Sequence, residues 1–233
     1  MTGKIEAKNA LKQIFAMEGY WRYLAPFAIY LFIGSIVSLA LPGLEEYHIY
    51  ISYTLRTVVV GVLLWKLRHR FTELADKQLL FDPTALVTGV LVFLVWIGLE
   101  GRYPLFTSSE MHFNPTDFEG TVTVFLIFTR FIGSVLVAPV IEELVMRSFL
   151  IRYIISPRWE DVPIGKYTFE SFAVITLIFG FSHYRWLPGV ITAAALNLLL
   201  YRKKNIVPCI TAHAMANLLL LVYVLATGSW FYY

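Results

Sequence analysis

From position 23 to 41 the chain carries no charged side chain, and that run largely decides the solvent it folds in. A helix crosses the hydrocarbon core of a bilayer, about 30 Å, with about 20 residues. Further apolar runs follow at 50–65, 84–99, 121–137, 169–181, 187–201 and 206–226. In lipid every backbone N–H and C=O must be paired internally, which leaves helices and closed barrels. Alternation with a period of two is absent, and the runs exceed the roughly ten residues of a barrel strand. Composition agrees: 58% of residues are hydrophobic and 15% charged, against about 25% charged in a soluble domain. The predicted fold is all-α, a polytopic transmembrane helical bundle.

The scarce charges carry the next inferences. A net charge of +3 is too small and scattered for a nucleic-acid footprint, so no nucleic-acid partner is expected. The single cysteine, Cys209, excludes a disulfide framework and a thiolate zinc cluster. No cleavable leader pattern is expected at the start. Instead Ile5, Leu11, Ile14 and Phe15 interleave with Lys4, Lys8 and Lys12, which predicts an interfacial helix over 1–22. A single membrane-embedded domain follows over 23–233. Basic residues collect on the cytoplasmic side of a membrane protein. Lys4, Lys8, Lys12 and Arg22, and then Lys66, Arg68, Arg70 and Lys77, put the N-terminus and the 66–77 turn inside. The longer stretch 100–120, with Pro104 and Pro115, is a candidate lid or surface cap.

Beyond position 120 two topologies compete. Residues 121–155 could be one span and a short cytoplasmic helix, giving seven spans. They could instead be two helices broken at Ala138-Pro139, giving eight. Proline suits the first turn of a helix, and Glu142 and Glu143 would then sit where the dipole favours anions. Seven spans keep Arg158, Lys166, Arg202, Lys203 and Lys204 inside. Eight spans bring Glu142 and His183 to one membrane face, whereas seven place them about 20 Å apart at 1.5 Å per residue. Eight is the preferred expectation.

Ionisable residues within apolar runs are costly and mark functional sites. Arg56, Arg130, the group Glu142-Glu143-Leu-Val-Met-Arg147, His183, and His213 with Asn217 qualify. Glu143 and Arg147 are four apart and share a helix face, so they can pair. Glu142, rotated about 100° from Glu143, is the freer carboxylate. His213 and Asn217 share a face by the same spacing, as do Phe179 and His183, where the phenyl ring could wall the imidazole. Such a set supports hydrolysis. A carboxylate and an imidazole can hold a water and take its proton as it attacks a carbonyl. An imidazole N–H and an amide N–H can bind the developing oxyanion. No serine or cysteine nucleophile with an adjoining base is visible.

In this order E-E-x-x-x-R (Glu142, Glu143, Arg147), F-x-x-x-H (Phe179, His183) and H-x-x-x-N (His213, Asn217) resemble the CAAX protease and bacteriocin-processing (ABI) family, which includes the type II CaaX prenyl endopeptidases. The resemblance covers about 121–226. It implies an intramembrane endopeptidase with Glu142 as general base and His183 positioning the water. His213 and Asn217 would form the oxyanion hole, and Glu143, Arg147 and Phe179 would support the site. The implied substrates are lipidated or membrane-associated C-terminal or leader peptides. The implied setting is the inner membrane of a prokaryotic cell, with membrane lipids as partners.

Competing readings remain at this stage. No cofactor is expected, yet two histidines and a glutamate match a His₂Glu zinc site in ligand type, while the H-E-x-x-H spacing is missing. A non-proteolytic scaffold, immunity factor or transporter would use the same polar residues as inter-helix glue. Arg56 and Arg130 are expected to be structural, pairing with buried acids or snorkelling, and Asn197 and Cys209 to be packing residues.

Overall fold

The computed structural model describes residues 2–106 and 113–232, with side chains described from Gly19 onward apart from those of 77 and 78. The expected interfacial face of 1–22 lies largely outside the described side chains. The backbone there runs unbroken into the first span. Among the described residues there is no strand. The long helices are α1 (Thr2–Ala40), α2 (His48–Leu67), α3 (Pro83–Gly98), α4 (Thr121–Ile155), α5 (Phe169–Phe181), α6 (Trp186–Lys203) and α7 (Val207–Thr227).

The helical runs of α1, α2, α4 and α7 are long and apolar enough to cross a bilayer, and α3 and α5 are shorter apolar helices. Their outer faces stay apolar: Phe32 is 61% exposed, Leu39 85% and Phe128 61%. A water-soluble chain rarely shows such continuous patches, whereas a lipid-facing surface consists of them. The chain is an integral membrane protein.

The helix break expected at Ala138-Pro139 does not occur. α4 is continuous over 35 residues, and two π-helical stretches, Ile132–Val137 and Leu144–Leu150, lie inside it. Wider π turns usually mark functional segments of a helix. Here the first sits immediately before the proline. Ala138 N–H reaches back five residues to the Gly133 carbonyl. In that register the Ser134 carbonyl would look to residue 139, a proline with no N–H to give. The helix continues because the local register absorbs the missing donor.

Continuity also removes the objection to bringing Glu142 and His183 together. That objection assumed that Glu142 ends a span. In fact α4 runs 13 residues past Glu142 to Ile155, and α5 returns antiparallel over a helix of 13 residues. Each leg covers about 20 Å, so the end of α5 comes back level with Glu142.

Helix α3 packs along α7, α5 pairs with α6, and α1 pairs with α2. Close approach is set by small residues. A Cβ at Gly89 would lie 2.6 Å from the Ala212 carbonyl oxygen, so α3 can meet α7 at this depth only with glycine there. The N-terminus of α3 is tied to the C-terminus of α6. Asp82 accepts from Ala85 N–H as N-cap (3.1 Å) and takes Lys203 Nζ at 2.6 Å. At one end of the bundle Tyr23, Phe149 and Trp159 form an aromatic cluster, with Tyr23 stacked on Phe149 at 5.6 Å. At the other end Arg185 pairs with Glu100 (2.5 Å), and Trp186 Nε1 donates to the Pro104 carbonyl (2.9 Å). The expected lid is thus anchored at its start. Positions 107–112, its middle, lie outside the described residues.

Candidate active site

The carboxylate pair comes from the middle of α4, between the π stretches. Glu143 and Arg147 are both 0% exposed and pair at 3.1 Å. A buried ion pair leans on hydrogen bonds to its remaining donors and acceptors; neighbours supply them in part, leaving Glu143 Oε2 and Arg147 Nη2 buried without a hydrogen bond. Arg147 Nε donates to Asn197 Oδ1 on α6 (3.1 Å), and Asn197 Nδ2 in turn donates to Thr176 Oγ1 on α5 (3.1 Å). The Arg147 guanidinium also lies 4.5 Å from the centre of the Phe179 ring. Asn197, expected to be packing, is therefore the link that holds α4, α5 and α6 together through one buried cation.

Glu143 has a second partner that the i,i+4 spacing could not reveal. Its Oε1 lies 2.9 Å from His213 Nδ1 on α7. A carboxylate can only accept, so Nδ1–H is the donor and the ring's Nε2 turns away from Glu143. That nitrogen lies 4.0 Å from Glu142 Oε2. Glu142 is mostly buried, and its Oε2 makes no protein hydrogen bond. The freer carboxylate thus faces a cavity.

His183 follows the last turn of α5. Its Nδ1 lies 2.7 Å from the Phe179 carbonyl, which can only accept, so this nitrogen carries the proton and Nε2 presents a lone pair in the neutral ring. Phe179 lies 4.5 Å from the His183 ring and 6.0 Å from the His213 ring, centre to centre. It is 1% exposed, packed between these imidazoles and the Arg147 guanidinium.

Asn217 closes the set from α7. Its Nδ2 donates to the Ser134 carbonyl at 2.8 Å. This is the carbonyl that Pro139 leaves without a donor in the π register. The helix break expected at Ala138-Pro139 is thus replaced by a docking point, which sets the height of Asn217 against α4.

All four residues expected to be catalytic, Glu142, His183, His213 and Asn217, line one cavity of about 310 Å³. Phe179 also lines it, while Glu143 and Arg147 sit behind the wall. The cavity is completed by residues the sequence did not single out for the site: Tyr30 and Tyr53, Trp96, Ser134 and Thr192. Arg56 and Arg130 line it as well. Their location inside apolar runs was the available signal. Among the described residues no group of three or more His, Cys, Asp and Glu side chains is arranged to hold a metal ion.

Residues 123–219 match the family model described as Rce1-like, type II CAAX prenyl endopeptidase Rce1-like. The matched segment lies within the 121–226 range on which the motifs fall and contains all seven motif residues. No curated protein matches the chain, and no solved structure does.

Proposed function

We propose, on the premise that segment 123–219 belongs to the Rce1-like, CAAX protease family, that the cavity hydrolyses peptide bonds by a glutamate-activated water. The observation that carries this reading is the convergence of Glu142, His183, His213 and Asn217 on one cavity from α4, α5 and α7. Glu142 offers an oxygen with no protein hydrogen bond, and His183 offers Nε2 as an acceptor, so the two can share a water and remove its proton. The resulting hydroxide attacks the scissile carbonyl and the carbonyl oxygen gains the charge. His213 donates from Nε2 as the imidazolium, its Nδ1–H staying on Glu143, and with the Asn217 amide it stabilises that oxygen; donors of this kind are worth about 2.7–4 kcal/mol each. Glu142 then returns the proton to the leaving amine, so acid and base roles alternate on one carboxylate.

Glu143 is a positioning residue in this scheme, since it orients His213 and touches no reacting atom. The substrates are lipidated or membrane-associated peptides, which can reach a cavity enclosed by lipid-facing helices. The basic residues of 66–77 support a cytoplasmic N-terminus, and the inner membrane of a prokaryotic cell is the setting that the resemblance to the bacteriocin-processing family implies.

The test is Glu142→Gln in a cleavage assay on a lipidated peptide, run with and without a chelator. Loss of about 10²–10⁴-fold in rate is expected, the range of a general base, with the melting temperature retained and the native enzyme indifferent to chelation. Full activity of the glutamine form would reject the assignment. Chelator inactivation reversed by zinc would replace it with a metal-dependent one.

A further inference from the structure

Helices α3 and α6 run antiparallel. Asp82 and Lys203 tie them at one end, and near the other Trp96 Nε1 donates to Thr192 Oγ1 (3.0 Å). Between these ties lies a groove of about 260 Å³ that the hydrolysis does not use. From α3 it receives Thr84, Thr88, Leu91 and Val95, whose spacing of i, i+4, i+7 and i+11 keeps to one helix face. The same spacing recurs on α6, from Ile191 through Ala195 and Leu198 to Arg202. Leu91 and Leu198 are each more than half exposed, so the groove opens toward lipid.

Antiparallel packing sorts the groove by polarity. Thr84 and Arg202 fall at the end tied by Asp82 and Lys203, and Val95 and Ile191 fall at the other. Eleven residues at 1.5 Å each make the groove about 16 Å long. That is close to half of the hydrocarbon core of about 30 Å, the depth of one leaflet. The polar end lies on the membrane side of the basic 66–77 turn, because α3 starts just after it. Among the described residues no acid lines the groove, and Asp82 is already taken by Lys203. Arg202 is exposed and has no hydrogen-bond or ion-pair partner among the described residues.

Any lipid-facing helix meets acyl chains, but a lipid is held in place where a seat between helices ends at a basic residue. The planar fork of an arginine fits the oxygens of a phosphate. We propose that this groove binds one anionic phospholipid of the leaflet on that side. Its phosphate rests on Arg202, and one acyl chain lies along the stripe from Leu91 and Leu198 to Val95 and Ile191. The site is separate from the catalytic cavity and does not depend on the peptidase reading. Val92 lines both spaces, so the bound chain backs the α3 wall of the cavity.

The test places the full chain in phosphatidylcholine nanodiscs with a trace of a photoreactive lipid, its diazirine midway along one acyl chain. The probe is a phosphatidylglycerol or a phosphatidylcholine, and labelled peptides are mapped by mass spectrometry. The anionic probe should label 91–95 and 191–198 about tenfold more than the zwitterionic one, the weight of a charge-assisted contact. Excess unlabelled phosphatidylglycerol should remove that labelling. Arg202→Gln should bring the two probes level. Lys66→Gln removes an exposed charge at the end of α2 on the same membrane side and should leave the preference intact. Ala195→Leu, which fills the middle of the groove, should lower labelling by both probes. Melting in phosphatidylcholine checks that each variant is folded. Even labelling of all lipid-facing helices by both probes would mean annular lipid only and overturn the site. Equal loss of preference with Lys66→Gln and Arg202→Gln would assign it to the charge of the whole face and overturn the site as well. Displacement of the probe by a lipidated peptide at equal concentration would give the groove to that peptide's lipid instead.

Discussion

Glu143 has two tasks at one fully buried carboxylate: it neutralises Arg147 and orients His213. Breaking a buried pair by removing one partner costs about 3–5 kcal/mol, because the remaining charge stays buried. Glu143→Gln should therefore lower stability by that order, read as a large drop in melting temperature in detergent, while Glu142→Gln barely moves it. Equal stability of the two variants would show that the Glu143–Arg147 pair is not carrying the bundle. The Glu143–Arg147 link was legible in the sequence because helix geometry places residues four apart on one face. The links from Arg147 to Asn197 and from Glu143 to His213 were not, since they span 50 and 70 positions and nothing local encodes them.

At the scale of the element, α4 shows how a proline can serve a site without breaking its helix. The π stretch passes Ala138 N–H to Gly133, and Pro139 leaves the Ser134 carbonyl to Asn217. Pro139→Ala restores an N–H that competes for this carbonyl and relaxes the turn. Melting temperature should hold or rise, since proline is unfavourable in a helix interior. Turnover should fall by about tenfold, less than the 10²–10³-fold lost with a full oxyanion donor. Unchanged turnover would show that Asn217 needs no such docking. Sequence reasoning saw Ala138-Pro139 and expected a helix start, because proline favours a first turn as well as a kink. Which outcome prevails depends on whether another chain segment can occupy the orphaned carbonyl, and that is a tertiary matter.

For the whole molecule, closure of the bundle around the cavity depends on ties between distant helix ends. Asp82 and Lys203 join the start of α3 to the end of α6. Its hydrogen bond from Lys203 holds the Asp82 carboxyl below the usual 3.8, outweighing burial, with Ala85 N–H helping. A depressed acid stabilises the fold above its unfolded pKa, and that contribution is lost as pH falls through the lower folded value. Asp82→Asn keeps an N-cap but removes the ion pair. It should cost about 1 kcal/mol, or about 2–4 °C for a chain of this size, near neutral pH. Once the pH has fallen below the depressed folded value of Asp82, itself under 3.8, the two proteins should melt alike. A gap that persists into acid would assign the effect to packing instead.

The environment and the fold class were readable from the chain itself. Long apolar runs admit only membrane helices, and the few polar residues within or beside them pointed to Glu142, His183, His213 and Asn217. Local spacing also paired Glu143 with Arg147. What the tertiary structure alone decided was the depth at which those residues meet. That depth follows from α4 continuing to Ile155, α5 returning level with Glu142, and Gly89 letting α7 come close. Helical periodicity reports the direction of a side chain around its axis but not its height relative to another helix. Height is set by packing and by hydrogen bonds between residues far apart in sequence, and the same packing turned Arg56 and Arg130 toward the cavity.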